Sequence, residues 1–157
     1  MATVTTDAVW RRVGKKSFAV LSWVTPSGEA RSAGVIYRAT GRRVYVCVDD
    51  GSWKAKHITA SGQVSVTVLV RRGGLLSLVA PIPPATISFR GTAIVHPEDA
   101  LDTLPKVVEK LLPPGGRRDG FRIIEIRPTG DFVTYGIGVA LPTLLRPEKA
   151  GGRAPVA

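Results

Sequence analysis

In the segment QVSVTVLV, residues 63–70, every second residue is a valine. Only an extended strand turns every second residue to one side, so Val64, Val66, Val68 and Val70 form an apolar face that must be covered. The same kind of signal recurs along the chain. SFAVLSWVT (17–25) is apolar on both faces and is expected to be buried on both. ARSAGVIYRA (30–39), RVYVCV (43–48), LLSLVA (75–80) and TISFRGTAIVH (86–96) read as further strands, with two more at 121–127 and 131–139. PSGEA, TGR and RRGG punctuate them with turn residues, and Gly91 predicts a bulge or bend inside its strand.

Helical spacing occurs three times. Residues 5–13 place Val9, Trp10 and Val13 on one side. Residues 52–60 begin at Ser52, a competent N-cap, and stop at Gly62. Residues 97–112 carry Leu101, Leu104, Val108 and Leu111, interrupted at Pro105. About eight strands against two or three short helices predict a mainly β fold, an antiparallel barrel or sandwich. One domain over 1–140 is expected, followed by an extended C-terminal arm at 141–157.

The net charge of +10 asks for an anionic partner. Arg11-Arg12, Arg42-Arg43, Arg71-Arg72, Arg117-Arg118 and Lys15-Lys16 mostly flank turns, where solvated charge also protects sheet edges. Nucleic acid is the less favoured partner: aromatics are 6%, and no strand interleaves basic and aromatic residues into a stacking platform. No apolar run has the length of a membrane span, and MATVTTDAVWRR lacks the apolar stretch of a signal peptide. A single cysteine, Cys47, suits a reducing cytoplasmic setting, and no membrane partner is expected. His57 and His96 have no spaced companions of a metal site, and no GxSxG, Walker or GxGxxG motif is present. No catalytic residue is nominated.

The cluster DDGSWKAKHI (49–58) is where chemistry concentrates. A helix N-terminus exposes unpaired N–H groups that receive phosphate, and Ser52 and Lys54 stand beside it. Lys56 lies roughly 200° around the helix from Lys54, so the two cannot address one phosphate. Trp53 and His57 are four apart and share a face.

The order of segments resembles the FMN-binding split-barrel family related to pyridoxamine 5'-phosphate oxidase. That family runs strand, PxG turn, two strands, a Ser-Arg-Lys-x-x-Asn-Leu segment, then another strand. FAVLSWVTPSGEARSAGVIYR, RRVYVCV, GSWKAKHI and GQVSVTVLV take those places, and the likeness spans roughly residues 5–139. The resemblance implies a six- to eight-stranded antiparallel split β-barrel. It further implies a homodimer with FMN or a deazaflavin (F-420 type) coenzyme in clefts between subunits, moving hydride to or from a small organic substrate. By resemblance Ser52 and Lys54 hold the phosphate. The ring lies along Ser32, Ala33, Gly34 and Val35, with Val46, Cys47 and Val48. Trp53 replaces the family's arginine and borders the ring or the substrate cleft. His57-Ile58 replaces Asn-Leu, and GIGVALPTLLRPEKAGGRAPVA lacks the Arg and His pattern of true pyridoxamine phosphate oxidases, so vitamin B6 oxidation is not expected. A deazaflavin coenzyme has a long anionic tail, which suits a +10 protein. The rival readings are a cofactor-storage barrel without turnover, a haem-binding relative using His57 or His96, and a small basic nucleic-acid-binding barrel.

Overall fold

The computed structural model describes residues 2–115 and 117–157. The elements are β1 (Ala2–Thr3), α1 (Thr6–Gly14), β2 (Phe18–Val24), β3 (Ala30–Thr40), β4 (Arg43–Asp49), α2 (Trp53–Ser61), β5 (Gln63–Val70), β6 (Ala85–His96), β7 (Phe121–Tyr135), α3 (Pro147–Ala150) and β8 (Gly151–Pro155). Short 3₁₀ turns occupy Gly74–Leu78, Glu98–Thr103, Lys106–Leu111 and Leu141–Leu145. Among the described residues no helix is long and apolar enough to cross a membrane.

Strands β7-β4-β3-β2-β5-β6 are neighbours in that order, and β6 pairs back onto β7. Closure of this six-stranded antiparallel barrel removes the edges an open sheet would expose. The alternation read from 63–70 points inward as expected: Val64, Val66 and Val68 are buried. They meet Leu21, Tyr37, Val46, Ile87, Phe89, Ile124 and Phe132 in one core. Phe132 stands edge-on to both Trp10 of α1 and Phe89 of β6, so α1 is pinned over the core by an aromatic chain.

Several expectations need correcting. Residues 17–25 are not buried on both faces: β2 alternates, with Phe18 and Val24 at least half exposed. The stretch 75–80 is a 3₁₀ turn and not a strand, since its apolar residues find no covering layer. Residues 97–112 form two 3₁₀ turns on either side of Pro105 instead of an α-helix. They lay Val108, Leu104 and Leu111 over the outward side of Tyr45 and Ile123, a second small core outside the barrel. The strands expected at 121–127 and 131–139 are one bent strand. Pro128 and Gly130 lie at its bend, where the β6 register slips between Ser88 and Arg90.

The chain after 140 is docked. β8 pairs antiparallel with β7 and parallel with β1, and the Trp10 indole donates to the Val156 carbonyl at 3.0 Å.

Candidate functional site

The barrel is split between β3 and β4. Their ladder covers only Tyr37–Thr40 against Arg43–Val46. Upstream, Ala30–Ile36 pairs with β2 alone, while Cys47–Asp49 turns away to pair with Phe121–Ile123 of β7. One edge of β3 therefore keeps backbone N–H and C=O groups without a strand partner, and such groups need another.

A cleft of about 580 Å³ opens at this split, lined by Gly34, Val35, Ile36, Cys47, Val48, Asp49, Lys54, Lys110 to Pro114 and Phe121. It lies within the size range of small-molecule sites. At Gly34 a Cβ would sit 2.7 Å from the tip of the exposed Phe18 ring, which would have to swing aside.

Lys54 reaches the cleft from the first turn of α2. Ser52 caps that helix, its Oγ accepting from Ala55 N at 3.2 Å, which leaves the hydroxyl hydrogen free to donate. Gly62, at φ 64, closes the helix in the left-handed conformation. Burial first, then the charge of Asp49, push the Cys47 thiol up, so it lines the cleft as a neutral thiol and not as a nucleophilic thiolate.

Of the residues nominated from sequence, Gly34, Val35, Cys47, Val48 and Lys54 thus share one cleft. Ser32 and Ala33 continue along the same unpaired edge. Val46 does not join them; it points into the barrel core at the last paired position. Trp53 faces elsewhere, into a second cleft of about 580 Å³ with Trp23, Thr25, Glu29, Arg31 and His57. Its ring lies 5.7 Å from that of His57, with the Lys56 ammonium 5.2 Å over it, so Lys56 is indeed turned from Lys54. Lys110 and Phe121 are among the lining residues that were missed. Lys110 reaches the cleft because the 3₁₀ segment packs across β3, of which LLPPGG gives no local sign, and Phe121 because it pairs with Asp49 at the end of the β4–β7 ladder.

Both histidines have committed nitrogens. The Trp23 indole donates to His57 Nδ1 at 3.2 Å. An indole N–H only donates, so Nδ1 holds the lone pair and the neutral ring carries its proton on Nε2. His96 Nε2 pairs with Glu125 at 2.7 Å. Neither histidine lines the split cleft.

Glu125 was not anticipated. Its buried carboxylate also receives Arg43 and Arg127, each at 2.8 Å. Burial raises its pKa, but the hydrogen bonds of Arg127 and His96 and the two arginine charges outweigh this and hold it below the ordinary range. A depressed carboxyl contributes stability above its unfolded pKa and loses it as pH falls through the folded value. Glu125→Gln is therefore expected to flatten the acid limb of stability below about pH 4. Urea midpoints across that range check this, and an acid limb identical to wild type would contradict it.

The six-stranded barrel with a ligand-sized split between β3 and β4 has the split-barrel fold of solved structures that include a putative pyridoxamine 5'-phosphate oxidase from Listeria innocua, at 16% identity. General Stress Protein 26 from Bacillus anthracis str. Sterne superposes with a TM-score of 0.58 at 18% identity, covering 83% of this chain and 91% of that one. An F420 reductase gives 0.57 at 17%, covering 78% and 93%. A haem binding protein from Mycobacterium smegmatis gives 0.69 at 13%, covering 99% of this chain and 60% of that one. No family model matches the sequence, and no curated protein matches it. These likenesses establish the fold.

Proposed function

We propose that the protein is a homodimeric oxidoreductase that binds FMN or a deazaflavin coenzyme in the split cleft and exchanges hydride with a small organic substrate. The observation that carries this reading is the unpaired β3 edge facing Lys54 across the cleft. Backbone amides of Ser32 to Val35 supply donors and acceptors to the polar rim of a flat ring. Lys54, Ser52 and Lys110 supply cationic and hydroxyl contacts for a phosphate. Asp49 in the same lining limits how much anionic charge the cleft holds by itself. The cofactor, once bound, supplies the hydride chemistry; the chain binds it, orients it and screens it from water.

The homodimer draws support from the outer face of β3, β2 and β5. Apart from Arg38 at the end of β3, its outward positions (Ser32, Gly34, Ile36; Phe18, Val20, Ser22; Ser65, Thr67, Leu69) carry no charge in a chain of net charge +10. Phe18 and Ile36 are directly paired there and 53% and 62% exposed. Light scattering is expected to give twice 16.7 kDa. Phe18→Glu should yield a folded monomer, and a wild-type monomer would remove the dimer from this reading.

A haem reading is favoured by the M. smegmatis neighbour. Against it, iron ligation through His57 Nε2 would require the Trp23 bond to break. The absorption spectrum of the purified protein, before and after adding FMN, deazaflavin coenzyme or haem, separates the readings. A Soret band with no flavin-type uptake would overturn the proposal.

A further inference from the structure

Four large apolar residues within five positions of the β5–β6 connection face solvent. Leu75, Leu76, Leu78 and Val79 are 84%, 51%, 80% and 83% exposed. A single exposed apolar side chain is ordinary, but a contiguous group of them marks a surface that something covers.

The backbone beneath this group is held. Leu76 N donates to Gly73 O at 2.9 Å, Val79 N and Ala80 N donate to Leu76 O at 3.2 and 3.0 Å, and Ser77 Oγ donates to Gly74 O at 2.7 Å. Gly73, at φ +87, lies so close to Ile82 that a Cβ would sit 2.5 Å from its Cδ1. At the base of the turn, Arg72 donates to the carbonyls of Gly136 and Val139. The turn therefore presents its leucines with much of its own backbone already hydrogen-bonded, as a segment entering an apolar medium requires.

Cations stand beside the turn. Lys15, Lys16 and Arg71 line a hollow of about 770 Å³ together with Leu78, and no acidic residue is in its wall. None of the three forms an ion pair among the described residues. The chain also carries no Asp or Glu from Gly51 to Pro97, a stretch that includes the whole turn.

The partner must suit both halves of this surface. A nucleic acid would use the cations and leave the leucines in water, since aliphatic side chains offer bases no stacking platform. A purely apolar partner would leave the cations uncompensated. An anionic bilayer surface satisfies both, with acyl chains around Leu75, Leu78 and Val79 and acidic headgroups against Lys15, Lys16 and Arg71. We infer that the β5–β6 turn seats this protein on an anionic membrane surface. The expectation of no membrane partner weighed the length of apolar runs, and a turn lying in the headgroup region needs no span. This contact stands independently of the cofactor reading.

Cosedimentation with vesicles of phosphatidylcholine, alone or mixed with phosphatidylserine, tests it on three proteins. Wild type is expected to bind the mixed vesicles at least about tenfold more tightly, since each cation near such a surface is worth roughly fivefold. Added salt should erode that margin. Lys15→Gln/Lys16→Gln/Arg71→Gln should lose the preference between the two vesicles. Leu75→Ser/Leu78→Ser/Val79→Ser should bind mixed vesicles at least about tenfold more weakly than wild type, with its melting temperature unchanged because the side chains removed are exposed. Without vesicles, light scattering should give this variant the wild-type mass. A fall to half that mass would assign the turn to a second copy and overturn the inference. Wild type that binds neither vesicle would overturn it as well. So would binding that the glutamine variant loses and the serine variant keeps, because the contact would then be charge alone.

Discussion

Gly91→Val should be the most damaging single substitution outside the deep core. A Cβ at this position would stand 2.7 Å from the Arg127 carbonyl oxygen and 3.1 Å from Ile126 Cγ2. The first of these is backbone, which cannot swing aside as a side-chain tip does. Gly91 pairs with Pro128 where β6 meets β7, so relief requires the two strands that close the barrel to separate. Overpacking of this kind costs about 3 kcal/mol. For a chain of this size that lowers the melting temperature by roughly 6–12 °C. Gly14→Ala is the matched control, because nothing lies within 4 Å of its would-be Cβ at the end of α1. Calorimetry should find that variant within a degree or two of wild type. Equal melting temperatures for the two variants would refute the close-approach account.

Lys54→Ala should weaken cofactor uptake by roughly 10- to 100-fold, the worth of a charge-assisted contact of about 1.5–3 kcal/mol. The fold should be unaffected, since Lys54 is absent from both hydrophobic cores and from the described ion pairs. Lys56→Ala, whose ammonium lies over Trp53 on the other side of α2, should change affinity by no more than about threefold. Fluorescence titration with FMN and with a deazaflavin coenzyme reads both. If the two lysine variants bind alike, Lys54 is not the anchor.

The β2–β3 and β3–β4 hairpins were legible because their signals are local. At the TGR turn, Gly41 and Arg42 both take positive φ, the geometry that matches strand twist in a tight hairpin. The N-cap at Ser52 and the stop at Gly62 were legible for the same reason, since each is decided within about four residues. The bend at Pro128 and Gly130 misled because a break in pattern looks the same whether a strand ends or merely turns. LLSLVA carries strand residues but finds no partner strand, and propensity yields to that absence.

The recurrence of valine at every second position, the turn glycines and the capping serine determined by themselves that this chain forms antiparallel strands, with a capped helix bearing Lys54 between two of them. Tertiary structure alone decided the rest. It left the β4-side edge of β3 unpaired from Ala30 to Ile36, it turned Trp53 and Lys54 into different clefts, and it carried Lys110 over one of them. It also gathered Arg43, His96 and Arg127 around Glu125 and docked Gly151–Pro155 onto β7. The physical reason is distance along the chain. Hydrogen-bonding period and capping act between near neighbours. A split in a barrel exists only where strands far apart in sequence have closed on all other sides.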